Sequence, residues 1–229
     1  MQETRLDTAR IRAARRVIDP VFLDTPLYRC EALEPGLGCT VSIKLETANP
    51  VRSFKARGTE VVASLLAGHG ARAVVCASAG NLGQALAWSG RGRGLDVTVV
   101  ASRCAPTAKL DRIRALDARL ELVDGDFDMA RERAAALARY DDLLLVADDA
   151  VLVQEASIIA GMRTLLDHAG LVVEPSAALG IAAILEDRDR FAGRHVVTIV
   201  CGSNVDLDAY HRWVGADPGS GHSSHSWIS

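Results

Sequence analysis

Asn49-Pro50-Val51-Arg52-Ser53-Phe54-Lys55-Ala56-Arg57-Gly58 is the stretch on which the fold assignment depends. Its Asn-Pro loop delivers Ser, Phe and Lys to the start of a helix that the sequence predicts over residues 54–67. Only a neutral amine attacks a carbonyl, and the positive end of a helix disfavours the charged ammonium form. Lys55 is therefore a candidate covalent nucleophile, although a lysine at a helix start is more often an ordinary surface residue.

A strand, a glycine-containing turn and a helix start follow in residues 75–85, Val-Cys-Ala-Ser-Ala-Gly-Asn-Leu-Gly-Gln-Ala. Such a turn directs backbone N–H groups and the positive end of the helix dipole at a bound anion, so it suits a carboxylate or a phosphate. Ser78 and Asn81 add side-chain donors. The alternative is a plain strand–helix connection in which Asn81 is the N-cap.

A third turn, Cys201-Gly202-Ser203-Asn204, ends a strand predicted over residues 196–200. Ligands of open α/β sheets bind at the carboxyl ends of the strands. We therefore expect this turn to form another wall of the crevice that contains the first two.

Apolar runs and helical stretches alternate on either side of these turns, which predicts an α/β fold with mostly parallel strand pairing. The residues after Asp217 lack periodicity, so 216–229 is expected to be a loose tail. The predicted strands are 41–45, 73–76, 97–101, 120–123, 143–146, 171–173 and 196–200, and the predicted helices are 54–67, 81–89, one opened by Pro106, 127–137, 152–166 and 177–185.

The composition narrows the classes of function. The 229 residues are 49% hydrophobic and 24% charged with a net charge of −3, as in an ordinary globular protein. No basic block indicates a nucleic-acid partner, and no apolar run of about 18 residues or secretory signal indicates a membrane or export. The five cysteines fit neither a disulfide framework nor a zinc spacing, which favours a cytoplasmic location.

In this order, the three turns resemble those of fold-type II (tryptophan synthase β-like) pyridoxal-phosphate (PLP) enzymes, and most closely the serine/threonine dehydratases, or ammonia-lyases. The resemblance implies that Lys55 carries pyridoxal 5'-phosphate as a Schiff base and that Phe54 lies against the pyridine ring. It also implies that Asn81 reaches the ring hydroxyl and that Cys201 offers its thiol to the pyridine nitrogen. The substrate carboxylate would be bound by Ser78 and by the turn formed with Ala79, Gly80, Asn81 and Leu82.

The same resemblance implies a reaction and a domain organisation. A β-hydroxy amino acid would lose ammonia to give a 2-oxo acid, with Lys55 removing the α-proton, and a homodimer would be the expected assembly. Residues 41–140 would form the small domain with the lysine and the carboxylate turn. Residues 1–40 and 141–215 would be the remnant of a large domain.

Two departures from the family pattern bear on activity. Ala79 stands where the serine racemases of the family carry a second serine, which favours elimination over racemisation. The family's glycine-rich phosphate loop and its metal-binding carboxylates are absent, so a large internal block is missing between about Tyr140 and Leu143. The alternatives are therefore a catalytically impaired or partner-dependent subunit, or a PLP enzyme of β-replacement. The Ser-Phe-Lys-x-Arg-Gly form argues against β-replacement.

Three other signals were interpreted as structural. The alternating Asp124, Asp126 and Asp128 lack the glycine and glutamate of a calcium loop, so Asp126 is predicted to cap a helix. The glycines of 90–94 are predicted to end a helix rather than bind phosphate. His222 and His225 have no third ligand nearby, so no metal site is predicted.

Overall fold

A computed structural model describes residues 8–137 and 152–215 of the chain. These residues form two compact units, one of residues 8–24 and 49–137 and the other of 25–48 and 152–215. The sequence placed the boundaries at 40/41 and 140/141, and the observed division differs for residues 8–24 and 41–48. Residues 41–48 belong to the second unit because the strand at 40–45 pairs there. Residues 8–24 belong to the first because Ile18 and Phe22 pack in a cluster with Ala56 and Ala85.

The first unit is a parallel three-stranded sheet with helices on both faces, the arrangement expected of an α/β unit. The strands lie in the order β3-β4-β5, so β4 is central. The elements are α1 (Thr8–Ala14), α3 (Lys55–Gly68), β3 (Ala73–Ala77), α4 (Asn81–Arg91), β4 (Asp96–Ser102), α5 (Thr107–Arg114), β5 (Arg119–Val123) and α6 (Phe127–Leu137).

The central strand β4 is apolar on both sides because both faces of the sheet are covered. Val97 and Val99 pack with Leu86 of α4 and Ile113 of α5. Val100 packs on the other face with residues of α6. The near-continuous valine run of this strand is typical of a parallel strand buried on two faces.

The second unit is a three-stranded sheet, β1-β2-β6, covered on one face by helices. Strand β1 pairs with β2 antiparallel, and β2 pairs with β6 parallel, with Val41 opposite Val196. The core includes Ile43, Met162 and Ile181. The elements are β1 (Leu27–Arg29), α2 (Glu34–Leu37), β2 (Thr40–Leu45), α7 (Glu155–Ala169), α8 (Leu179–Glu186), α9 (Arg188–Phe191), β6 (His195–Val200) and α10 (Leu207–Gly215).

Most predicted elements are confirmed within a few residues, and one strand was wrong. Residues 171–173 form no strand, because Val173 packs into the core as part of a loop and enters no backbone ladder. The predicted strand 143–146 and the tail 216–229 lie outside the described residues. Helix α4 ends at Arg91 and Gly94 has a positive φ of 66°, which confirms the helix-ending turn at 90–94.

All five cysteines are free thiols in the structure. Within residues 8–137 and 152–215, no helix combines the length and the apolar character that a membrane crossing requires.

Candidate active site

The loop before α3 is held by its own side chains. The Asn49 side-chain oxygen accepts hydrogen bonds from the N–H groups of Val51 (3.1 Å) and Ser53 (3.4 Å), and its amide donates to the Ser53 carbonyl (3.2 Å). The fully buried Ser53 hydroxyl in turn accepts from the Lys55 N–H at 3.1 Å. These bonds fix the point at which the chain enters the helix, so Lys55 is the first residue of α3.

The Lys55 amine lies beside an aromatic ring. Its Nζ is 4.8 Å from the centroid of the Phe54 ring, and the lysine is partly buried. No acidic group among the described residues forms an ion pair with Lys55. A partly desolvated lysine without a carboxylate partner is suited to covalent chemistry with a carbonyl.

The second predicted turn joins β3 to α4. The Ser78 N–H donates to the Val100 carbonyl (3.1 Å), and the Ser78 hydroxyl accepts from the Gly80 N–H (3.2 Å). Gly80 is the N-cap and Asn81 is the first helical residue, so the alternative in which Asn81 caps the helix was wrong. The N–H groups in the first turn of a helix lack intrahelical partners, so a helix start of this kind can bind an anion.

Gly83 allows the helix to pack closely against this turn. A Cβ at position 83 would lie 2.1 Å from the Ser78 carbonyl oxygen and 3.1 Å from a Val99 methyl group. Any larger residue would displace either α4 or the turn. The sequence Ser-Ala-Gly-Asn-Leu-Gly therefore sets the position of the helix start relative to Ser78.

Helices α3 and α4 bring the first two predicted motifs to one end of the first unit. Ala56 and Ala85 share an apolar cluster, and the Thr59 and Ser89 hydroxyl oxygens are 2.9 Å apart. The later residue of α3 (Thr59) is therefore next to the later residue of α4 (Ser89), so the two helices run in the same direction. Lys55 and the turn of residues 78–82 consequently lie at the same end of the pair.

Gln84 is a feature of this end that the sequence analysis did not single out. The residue is 3% exposed, and its side-chain nitrogen is buried without a hydrogen-bond partner among the described residues. Helical side chains lean toward the N-terminus, so this amide covers the first turn of α4. A buried donor without a partner costs free energy, which makes it a candidate for a ligand contact.

The third predicted turn lies in the second unit, after β6. Glu174 accepts from the Ser176 hydroxyl (2.6 Å) and from the Asn204 N–H (3.2 Å). The Ser176 Oγ is 3.9 Å from the Cys201 Sγ, and Cys201 is partly buried. Cys201 is recognisable from its turn motif, whereas the contacts of Ser176 with Cys201 and of Glu174 with Asn204 span 25 and 30 positions and leave no local sequence signal.

The predicted residues therefore fall into two groups. Lys55 and Phe54 share the first unit with the turn of residues 78–82, whereas Cys201 belongs to the second. Their union in one crevice, and the individual roles of these residues, stay predictions.

Burial lowers the pKa of Arg57, two residues after the lysine, and raises the pKa of Cys76 on β3 to about 12. Among residues 8–137 and 152–215, no cluster of three or more His, Cys, Asp or Glu could hold a metal ion.

Comparison with known proteins identifies the relatives of this chain. The model of the family described as "pyridoxal-phosphate dependent enzyme" matches residues 18–148 and 140–202. The mouse L-serine dehydratase/L-threonine deaminase is 28% identical over 203 residues, which are 84% of this chain and 61% of that protein. A putative threonine dehydratase of Sinorhizobium fredii is 32% identical over 180 residues, 75% of this chain and 53% of that protein.

A solved structure supports the fold. The processed form of threonine deaminase isoform 2 from Solanum lycopersicum superposes with a TM-score of 0.75 and 20% identity, covering 93% of this chain and 90% of that one. At this identity the likeness concerns the fold alone. In sequence, the chain spans between about half and three fifths of its two relatives (53% and 61%).

Proposed function

Because the chain belongs to the pyridoxal-phosphate dependent enzyme family, we propose that it deaminates a β-hydroxy amino acid, serine or threonine, to a 2-oxo acid and ammonia. The observation that carries this proposal is the pairing of α3 with α4, which puts Lys55 and the turn of residues 78–82 at the same end of the two helices. The names of the two relatives support the substrate class.

Two features of the described residues support a fit to the ring and amine side of the cofactor. Lys55 offers a partly buried amine without an acidic partner among the described residues. The side-chain nitrogen of Gln84 is buried and has no hydrogen-bond partner among them. We propose that Lys55 binds the cofactor covalently, that Phe54 and Asn81 contact its ring, and that Cys201 faces its pyridine nitrogen. The sequence lacks the family's glycine-rich loop, so the residues that would hold the phosphate are not among these.

When bound, the cofactor supplies an electron sink for the charge that develops at the substrate α-carbon. The protein's part is to orient the substrate and to move protons. Ser78 and the first N–H groups of α4 bind the carboxylate, which fixes the α-hydrogen toward the amine. Lys55 accepts the α-proton as a general base. Ala79 has no hydroxyl to return a proton from the opposite face, which favours loss of the β-hydroxyl over racemisation.

The test is keto-acid formation by the purified full chain with added cofactor and either L-serine or L-threonine. We expect turnover by the unaltered chain, loss of turnover in Lys55→Ala, and retention in Lys109→Ala, which removes a lysine outside the proposed site. Absence of keto acid with both substrates, in a protein that binds the cofactor, would refute the proposed reaction.

A second candidate is an impaired or partner-dependent subunit, and the missing phosphate loop favours it. Each charge-assisted hydrogen bond to a phosphate contributes about 1.5–3 kcal/mol, so losing several weakens binding by orders of magnitude. Titration with cofactor separates the candidates: an active enzyme develops the visible absorbance of lysine-bound cofactor, and an impaired subunit does not. Absorbance without keto acid would direct attention to β-replacement.

We also propose that the chain forms a homodimer in a reducing cytoplasm. Leu27, Val197 and Ile199 are 61%, 56% and 58% exposed on one face of the β1-β2-β6 sheet, and such apolar surface supports self-association. The free thiols support the compartment. We propose further that the first unit is the small domain of the family and the second the remnant of the large domain. Sedimentation equilibrium tests the assembly.

A further inference from the structure

The loop residue Glu174 is bonded to both flanks of the turn that follows β6. Its backbone N–H donates to the Gly202 carbonyl at 3.2 Å. Its carboxylate accepts from the N–H of Asn204, a residue that is 4% exposed. Cys201 and Ser203 alternate with these two residues, so Glu174 restrains the backbone on either side of the turn.

Gly202 is the residue against which the carboxylate packs. A Cβ at this position would lie 2.4 Å from the Glu174 Cδ and from its Oε1. The contact thus requires glycine for reasons of space, since the turn could not approach the carboxylate so closely with any side chain at 202. The contact between the Glu174 carboxylate and the turn therefore depends on glycine at position 202.

Ser176 connects the same carboxylate to the thiol. Its single hydroxyl proton is donated to Glu174 at 2.6 Å, because a carboxylate only accepts. Toward the Cys201 sulfur, 3.9 Å away, the Ser176 oxygen can then only accept, so a hydrogen bond between them requires the neutral thiol. A negative carboxylate one hydroxyl away also opposes formation of a second negative charge on the sulfur.

We propose that Glu174 is a positioning residue for Cys201, which it holds in place and in the neutral thiol form through Ser176 and the Gly202–Asn204 backbone. This inference rests on the proposed function for one point only, the assignment of Cys201 to the pyridine nitrogen. A neutral thiol there offers a hydrogen bond without protonating the ring. The ring then withdraws electrons less strongly than it would beside a carboxylic acid.

The test measures alkylation of Cys201 by iodoacetamide in the full chain without cofactor, with peptide mass spectrometry as the readout. The exposed Cys104 is the internal reference in each sample. In Glu174→Gln we expect the Cys201/Cys104 rate ratio to rise about three- to tenfold and the pH profile of Cys201 alkylation to move to lower pH. The matched control is Glu155→Gln, an exposed glutamate at the start of α7, which should leave both unchanged.

The buried Cys30 and Cys39 report whether a variant has unfolded, because they become reactive only then. If Glu174→Gln unfolds, the unaltered chain decides, because the proposal places the pH profile of Cys201 alkylation at higher pH than the profile of the exposed Cys104. An unchanged ratio and pH profile in a folded Glu174→Gln, or a Cys201 profile at lower pH than that of Cys104 in the unaltered chain, overturns the proposal. Failure of the chain to bind cofactor would defeat the proposed function without altering these alkylation rates.

Discussion

Two glycines in neighbouring helices give opposite expectations for the same substitution. Gly83 in α4 has no room for a methyl group, since its Cβ would lie 2.1 Å from the Ser78 carbonyl oxygen. Gly58 in α3 is exposed, and a Cβ there would meet nothing within 4 Å. Both positions would gain the helix propensity of alanine, about 0.8–1 kcal/mol. Only Gly83→Ala would carry the cost of forcing two backbone segments apart.

The magnitude follows from these two contributions. Overpacking costs about 1–3 kcal/mol, and the backbone oxygen of Ser78 has less freedom to move than a side chain, so the upper half of that range applies. After the propensity gain, Gly83→Ala should lower the free energy of unfolding by about 1–2 kcal/mol. Gly58→Ala should raise it by up to about 1 kcal/mol.

Urea unfolding of both variants, followed by circular dichroism, measures this difference directly. A Gly83→Ala variant as stable as Gly58→Ala would refute the close packing of α4 on the Ser78 turn. The geometry of the candidate carboxylate site would be refuted with it, because the same contact sets the position of the helix start.

Three further predictions concern stability. Asp126→Ala should lower the free energy of unfolding by about 1 kcal/mol, because the Asp126 carboxylate accepts a hydrogen bond from the Met129 N–H as an N-cap. The control Asp128→Ala should change it by less than about 0.5 kcal/mol. Equal losses in urea unfolding would contradict the cap. Glu60→Gln should cost about 1.5–3 kcal/mol, because it removes the buried negative charge 2.8 Å from the Arg93 guanidinium, which keeps its bonds to the Val17 and Ser89 carbonyls. A loss no larger than that of the more exposed Glu121→Gln would count against this pair. Burial raises the pKa of the Cys76 thiol from 9.0 to about 12, so the unfolded chain loses this proton first and the free energy of unfolding should fall as pH rises above 9. The slope is at most about 1.4 kcal/mol per pH unit. In a pH series of thermal melts, Cys76→Ala should show a shallower decline.

Local chemistry explains how much of the fold the sequence predicted. Glycine and asparagine positions mark the turns, and the three- and four-residue spacing of apolar side chains marks α6, so these elements needed no tertiary information. Asp126 was identified as a cap for the same reason, since its partner Met129 is three residues away. The lysine-bearing loop is also local in part, because the side-chain bonds of Asn49 to Val51 and Ser53 span at most four residues.

What the sequence missed depends on distant partners. The apolar run 171–173 has the composition of a strand, but composition does not supply a neighbouring strand with which to pair. The compact units differ from the predicted domains at residues 41–48 because β2 pairs with β6, about 155 positions further along the chain (Thr40 opposite His195). Glu174 resembles any loop glutamate in sequence, and only the approach of Gly202 and Asn204 distinguishes it.

Binding of the cofactor to the Lys55 amine can be tested directly, because the chain has three lysines, Lys44, Lys55 and Lys109. Incubation with pyridoxal 5'-phosphate, reduction with borohydride and peptide mass spectrometry would locate the stable adduct. We expect the adduct on Lys55 at a stoichiometry near one, with the other two lysines largely unmodified. Equal modification of all three lysines, or preferential modification of Lys44 or Lys109, would contradict the account.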